Sequence, residues 1–310
     1  MRRRFHFMAN ARAGRGRQGL SADIANRLLN AGCELTYAST DGEAACLLET
    51  ADIARRGLVD AIVAAGGDGT IRLAAKAVAG TCMPLGVIPL GTGNVLAHEI
   101  GLPHSAADLA EVLQLGPAIP INTATANGEL FILMAGIGFD GRVIASLNQT
   151  LKAQFGKLAY GPPLLSAIRR PADEITVDID GTAYCAAWVI VTNASRYGGR
   201  YILSPGQSVT KPGLDVVLFG DPRNGKRSAG QFAERLTQVF ALGSGRLDQL
   251  TNRPDSSVRR VKGARIAVTC PHPVPVQLDG DAFLTTPLTV LDAALPLNLI
   301  VPFTANPPDC

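Results

Sequence analysis

Asp60-Ala61-Ile62-Val63-Ala64-Ala65-Gly66-Gly67-Asp68-Gly69-Thr70 is the stretch that decides the fold. After Asp60 its first half is wholly apolar, the pattern of a strand covered by helices on both faces. It then runs into a glycine-rich loop, and residues 71–78 continue as a helix that stops at Gly80. Glycines let backbone amides approach a bulky anion, and a helix N-terminus beyond them favours phosphate. Asp68, at the tip of a buried strand, is placed to meet the metal ion that accompanies a nucleotide. A tight strand-to-helix turn with Asp68 as its cap satisfies the same residues, so the loop is not decisive alone.

A second copy of the arrangement follows. Residues 85–90 form another apolar strand, ending in Gly91-Thr92-Gly93-Asn94 and a short helix that stops at Gly101. Two parallel strands thus present Gly/Thr-rich loops at their carboxyl ends, where open α/β sheets bind ligands. Neither loop fits the dinucleotide pattern GxGxxG or the Walker pattern GxxxxGK[ST], which disfavours an oxidoreductase or a P-loop ATPase. Upstream, residues 4–9 read as a strand and Asn10-Ala11-Arg12-Ala13-Gly14-Arg15-Gly16 as a turn. A helix is expected over 20–31, a strand over 34–38, and a helix opened by Asp41 and stopped by Gly57. The alternation predicts a parallel sheet with flanking helices.

After Pro120 the pattern changes. Strands are expected at 129–134, 174–181, 187–192, 213–219 and 264–269, with helical inserts at about 141–169 and 228–242. Short strands separated by Gly/Pro turns suggest a β-rich, sandwich-like domain. The reading is an α/β domain over 1–122 and a β-rich domain over 123–310, whose last segment is expected to pack back on the first.

Composition agrees. With 310 residues, 47% apolar and 18% charged, the chain is globular and long enough for two domains. Met1-Arg2-Arg3-Arg4 looks like the start of a signal peptide, but the apolar run behind it is too short, and no run approaches bilayer length. A cytoplasmic protein is expected. The six cysteines have no CxxC pair, and the histidines, His98 and His272 among them, are unclustered; free thiols and no histidine metal site are expected. Between positions 223 and 265 ten Lys/Arg face three acids, a patch that suits anionic lipid headgroups or nucleic acid, or a solvated basic loop.

The paired loops, GGDGT followed by PLGTGN, resemble the catalytic domain of the diacylglycerol kinase family, which includes sphingosine, ceramide and bacterial lipid kinases. The resemblance extends over almost the whole chain. It implies that Asn10, Ala11, Arg12, Ala13 and Gly14 form the first nucleotide loop, with Ala11 where the family usually has proline. It likewise implies nucleotide contacts for Thr40, for Gly66, Gly67, Asp68, Gly69, Thr70, Ile71, Arg72 and Leu73, and for Gly91, Thr92, Gly93 and Asn94. Asn193-Ala194-Ser195-Arg196-Tyr197-Gly198-Gly199 and Pro205 match further family positions. Gln277-Leu278-Asp279-Gly280-Asp281 stands where the family has DGE, whose carboxylate is the proposed base; here that group is Asp281, one methylene shorter. Some bacterial members hold a structural magnesium beside a segment that here reads Thr210-Lys211-Pro212-Gly213-Leu214-Asp215. Pro212 replaces its acidic ligand, which leaves the site near Leu214 weak or absent.

The resemblance implies an ATP-dependent enzyme with Mg²⁺ held through Asp68 and the phosphates, and with its active cleft between the two domains. The acceptor is a primary hydroxyl of a lipid: diacylglycerol first, then ceramide, a sphingoid base or phosphatidylglycerol. Such an enzyme contacts the inner face of the membrane peripherally, serves phospholipid biosynthesis and has no nucleic-acid partner; a homodimer stays open. NAD kinase shares GGDGT but should carry an Asn-Glu segment after the second loop, which is not seen. Phosphofructokinase shares it more distantly. A non-catalytic nucleotide- and lipid-binding regulator is the rival from another class.

Overall fold

The computed structural model describes residues 1–9, 18–147, 159–220, 237–238, 241 and 258–303. The chain divides into two compact units, residues 1–123 with 294–310, and residues 124–293.

The first unit alternates strand and helix: β1 (Arg4–Ala9), α1 (Gln18–Asn30), β2 (Glu34–Tyr37), α2 (Glu43–Arg56), β3 (Ala61–Gly66), α3 (Asp68–Val78), β4 (Leu85–Pro89), α4 (Val95–Glu99) and α5 (Ala106–Leu115). Its strands lie in the order β2-β1-β3-β4, all parallel. The end of a strand from Leu288 to Ile300 joins beside β4, with Leu299 opposite Leu85. Every residue of β3 and β4 is buried, as the unbroken apolar runs require. Helix α1 packs with α5 and α2 with α3. A Cβ on Gly86 would stand 2.4 Å from Leu113 Cδ2, so glycine there lets α5 settle onto β4.

Two boundaries differ from expectation. Helix α2 opens at Glu43, after Gly42, not at Asp41; it stops as expected at Gly57, whose φ of 61° is left-handed. Helix α3 begins at Asp68 rather than at 71, so the glycine loop is itself its first turn.

The second unit is antiparallel. Leaving the first unit along β5 (Ala118–Ala126), the chain passes through β6 (Glu129–Phe131), β7 (Met134–Ile137), α6 (Phe139–Ala145), α7 (Gly161–Arg169), β8 (Ile175–Ile179), β9 (Thr182–Ala186), β10 (Trp188–Thr192), β11 (Arg196–Tyr197) and β12 (Tyr201–Ile202). It continues through β13 (Leu214–Phe219), β14 (Val258–Gly263), β15 (Arg265–Thr269), β16 (Pro275–Leu278), β17 (Asp281–Thr285) and β18 (Leu288–Ile300). One sheet runs β14-β13-β10-β7-β16-β17. The other places β18, β15, β8 and β9 side by side. Alternate residues of β8 and β15 point inward, and Val177, Ile266 and Val268 share one core with Val189, Val216 and Val276 of the six-stranded sheet. That sheet is covered on its other side around Trp188, which stacks on Phe219 at 3.9 Å and meets Phe139 of α6 at 4.7 Å.

The single strand expected over 129–134 is broken into β6 and β7. The expected helical insert of 141–169 is α6 and α7, with 148–158 outside the described residues. So is most of the helix expected over 228–242, including Phe232, Leu236 and Phe240. Among the described residues no helix is long and apolar enough to cross a membrane.

Candidate active site

The two glycine loops meet in the first unit. A Cβ on Gly91 would stand 2.6 Å from the Cα of Gly67, closer than real Cβ atoms come, so the backbones touch where neither residue has a side chain. A Cβ on Gly66 would fall 2.3 Å from Thr70 Oγ1, so only glycine lets Thr70 fold back over the end of β3. Leu90 N–H donates to Gly66 O at 2.9 Å and locks the ends of β3 and β4 together.

Asp68 sits between the loops. Its Oδ2 accepts from Val95 N–H at 3.3 Å and its Oδ1 from Leu96 N–H at 3.5 Å, both long bonds. The sequence suggests Asp68 as a cap for its own helix; it caps α4 instead, in the second loop. A Cβ on Gly93 would stand 3.1 Å from Asp68 Oδ2, so that glycine leaves room for the carboxylate. Asn94, at φ 48°, donates from Nδ2 to Gly91 O at 2.8 Å, while its buried Oδ1 has no protein donor.

The other nucleotide-loop candidates are placed as follows. Gly69, Thr70, Arg72 and Leu73 are half-buried on the first turns of α3, and Thr92 is exposed. Ile71 is a core residue at 1% exposure, so only its backbone is available to a ligand. Thr40 is exposed in the β2–α2 connection. Asn10, Ala11, Arg12, Ala13 and Gly14 lie outside the described residues.

In the second unit Asp281 opens β17 opposite Leu278, just past a two-residue turn. Asp279 and Gly280, at φ 50° and 87°, give the turn the geometry that suits a hairpin. The Asp279 carboxylate is buried and accepts three backbone N–H groups, from Ile132 at 2.9 Å, Leu133 at 2.9 Å and Met134 at 3.0 Å. Asn193 grips the same segment from its other side, donating from Nδ2 to Ile132 O at 2.9 Å. Asp279 and Asn193 therefore build the turn, and Asp281, half-buried, is the carboxylate at its mouth.

Behind the turn lies a buried polar cluster that sequence reasoning missed. Asp140 of α6 accepts from Tyr197 O–H on Oδ1 and from Gln277 Nε2 at 2.6 Å on Oδ2. Burial raises the Asp140 carboxyl above its usual range, partly offset by these two donors. Burial, together with the charge of Asp140, also holds the Tyr197 phenol well above 10. Tyr197 as a whole is half-buried. The one signal in the sequence was a lone aspartate inside the apolar run Ile137-Gly138-Phe139-Asp140-Gly141.

Around Leu214 two buried side-chain oxygens, Asp215 Oδ1 and Gln207 Oε1, have no hydrogen-bond partner among the described residues, and Gln207 Nε2 donates to Gly213 O at 2.7 Å. Pro212 is exposed and has no side-chain ligand to offer. Asp215 is buried, accepts from Ser204 O–H on Oδ2, and has Arg260 Nε 4.0 Å from the same oxygen. Asp68, the carboxylate between the two loops, offers the kind of oxygen ligand that Mg²⁺ takes.

His272, read as partnerless, is not. Its Nε2 lies 3.1 Å from Asp173 Oδ1, and Cys270 completes a group whose ligand atoms all fall within 4.8 Å of one another. Arg142 also forks onto both oxygens of Asp173, and a divalent cation there would face that guanidinium. Arg142 and Asp173 form an ion pair, and His272 is hydrogen-bonded to the same carboxylate. The described cysteines, Cys33, Cys46, Cys82, Cys185 and Cys270, are free thiols.

The basic stretch is partly described. Residues 258–263 form β14, at the end of the six-stranded sheet, and not a loop. Arg259 lies over the Tyr184 ring at 5.8 Å, and Arg260 donates to Pro205 O at 3.0 Å. Arg260 is tied to the fold through this bond, and Arg259, Arg260 and Lys262 are all exposed.

Comparison with known proteins agrees with this architecture. The family model of the diacylglycerol kinase catalytic domain matches residues 4–126, and that of the YegS C-terminal NAD kinase beta sandwich-like domain matches residues 134–302. A diacylglycerol kinase of Bacillus subtilis is 28% identical over 230 residues, 72% of this chain and 71% of that one. A diacylglycerol kinase of Mycobacterium tuberculosis is 29% identical over 255 residues, 78% of this chain and 76% of that one. In fold, the crystal structure of a Bacillus anthracis diacylglycerol kinase superposes with a TM-score of 0.67 at 19% identity, covering 97% of each chain. With both halves matched, the chain belongs to the diacylglycerol kinase catalytic-domain family, in the form that carries a YegS-type sandwich, and is a lipid kinase.

Proposed function

We propose that the protein transfers the γ-phosphoryl group of ATP to a primary hydroxyl of a membrane lipid, diacylglycerol first. Use of ATP follows from the kinase family. The observation that carries the reading is the pair of glycine loops packed backbone to backbone around Asp68. Phosphoryl transfer needs positioning and charge neutralisation more than covalent chemistry. Backbone amides at the start of α3 face the phosphates, helped by the dipole of that helix. Asp68 fills the N-terminus of α4, so that end is not the phosphate site. Its carboxylate would hold Mg²⁺, which when bound neutralises charge on the phosphates.

Asp281 is the general base that takes the proton from the acceptor hydroxyl. Its turn is anchored by three amide bonds to Asp279, which suits a group that must be held still. The apolar lining that would choose among diacylglycerol, ceramide, a sphingoid base and phosphatidylglycerol is spread over many residues, so the acceptor is an experimental question. The enzyme meets its substrate at the inner face of the membrane as a peripheral protein, with exposed cations of β14 toward anionic headgroups. Incubating the purified protein with radiolabelled ATP and a panel of micellar lipids tests the reading. Labelled lipid is expected for at least one of the four, and labelling of NAD alone would replace this reading with that of an NAD kinase.

A further inference from the structure

The buried cluster behind the Asp279–Gly280 turn has a direction. From the surface inward it runs from Tyr197 O–H to Asp140 Oδ1, and from Asp140 Oδ2 to Gln277 Nε2 at 2.6 Å. Gln277 Oε1 then accepts from Gly280 N–H at 2.7 Å. The last bond ends on the residue immediately before Asp281. The three side chains come from sequence positions 57 and 137 residues apart, yet the fold reserves space for their meeting. A Cβ on Gly136 of β7 would stand 1.8 Å from Asp140 Oδ2 and 2.7 Å from Gln277 Nε2. A Cβ on Gly141 would stand 2.0 Å from Pro275 O, so the same helix is pressed against β16, which carries Gln277.

Asp140 is 3% and Gln277 2% exposed. Burying a carboxylate and an amide costs stability unless every bond is made, and apolar side chains of the same size would fill the space at less cost. A two-residue hairpin needs no such brace to set its register. What the brace adds is a fixed rotation of the turn, and with it the direction in which Asp281 leaves the strand.

We infer that Tyr197, Asp140 and Gln277 are positioning residues that hold Gly280, and through it the Asp281 carboxylate, in the orientation proton abstraction requires. The inference rests on Asp281 being the base. None of the three is assigned contact with substrate. Their effect is expected in kcat, because a group that orients the base acts on the transfer step, after nucleotide has bound.

The test uses the full chain with Tyr197→Phe, which removes one hydroxyl, and Gln277→Met, which keeps length and loses both bonds. Each should lower kcat about 10- to 100-fold, the scale of a misplacement near 1 Å. The KM for ATP should stay within about twofold, as expected for a group that acts after nucleotide binding. In an Asp281→Glu background the same substitutions should cost less than about threefold, because a longer side chain depends less on the turn, and such non-additivity marks action through one residue. Unchanged kcat in both variants would overturn the inference. So would equal losses in the two backgrounds that track the melting temperature, since the cluster would then serve the fold alone. Full activity of Asp281→Asn would instead remove the base itself, whereas an inactive Asp281→Asn beside active Tyr197→Phe and Gln277→Met sinks only the relay.

Discussion

Replacing Asp279 should separate the turn's architecture from its chemistry. Three backbone N–H groups, of Ile132, Leu133 and Met134, end on this buried carboxylate at 2.9 to 3.0 Å. Asp279→Ala leaves all three without an acceptor, at about 1–3 kcal/mol each when buried. Alanine must also adopt the left-handed φ of 50°, which costs about another 1 kcal/mol. The total is roughly 4 kcal/mol or more, which for a domain of this size lowers the melting temperature by about 10 °C. Asp279→Asn tolerates the backbone and keeps an oxygen for Leu133 and Met134, but turns an amide N–H₂ toward Ile132 N–H. Its cost should be about 1–3 kcal/mol, one unsatisfied group. Thermal denaturation followed by circular dichroism should therefore rank wild type above Asn and Asn above Ala. A melting temperature for Asp279→Ala within about 2 °C of wild type would refute the view that this carboxylate anchors the turn.

Other outcomes follow from the same geometry. Gly91→Ala should abolish nucleotide binding measured by calorimetry, because its Cβ would lie 2.6 Å from Gly67 Cα and force the loops apart; wild-type affinity would deny that the loops act as a pair. His6 is wholly buried, with Thr36 Oγ1 2.9 Å from Nδ1, and burial lowers its pKa from 6.5. With the folded-state value depressed, the unfolded chain takes up the proton first as pH falls, so stability is flat above about pH 6.5 and declines below it. Denaturant midpoints at pH 7.5 and 5.5 should differ more for wild type than for His6→Gln, and equal differences would exonerate His6. Arg259→Ser with Lys262→Ser should weaken binding to phosphatidylglycerol vesicles about 30-fold at low salt, given about 1 kcal/mol for each cation near the surface, and spare activity on short-chain lipid. Equal loss on both substrates would place these residues in the fold rather than at the membrane.

How much was legible depended on which faces an element buries. Strands β3 and β4 are covered on both sides, so their apolar runs and terminal glycines announced the parallel sheet and both loops. Strand β14 was read as basic surface because Val258-Arg259-Arg260-Val261-Lys262-Gly263 keeps most of its side chains outward at a sheet edge. Strand β18 was missed because Asp292 and Pro296 interrupt its pattern; Asp292 accepts there from Gly213 N–H at 3.0 Å. Asp281 was singled out through its resemblance to a motif, and the glycine turn beside it was plain. The role of Asp68 at the neighbouring helix, and the meeting of Tyr197, Asp140 and Gln277, depend on residues 27 to 137 positions apart. No local spacing encodes such contacts.

Transfer of ³²P from γ-labelled ATP to lipid, compared between wild type, Asp68→Asn and Asp281→Asn, tests the central claim most directly. Wild type should label a lipid phosphate with one of diacylglycerol, ceramide, a sphingoid base or phosphatidylglycerol. Asp281→Asn should bind ATP and lose at least about 100-fold in transfer, the scale of a general base. Asp68→Asn should lose a similar factor. No labelled lipid from wild type, or undiminished labelling by both variants, would contradict the account.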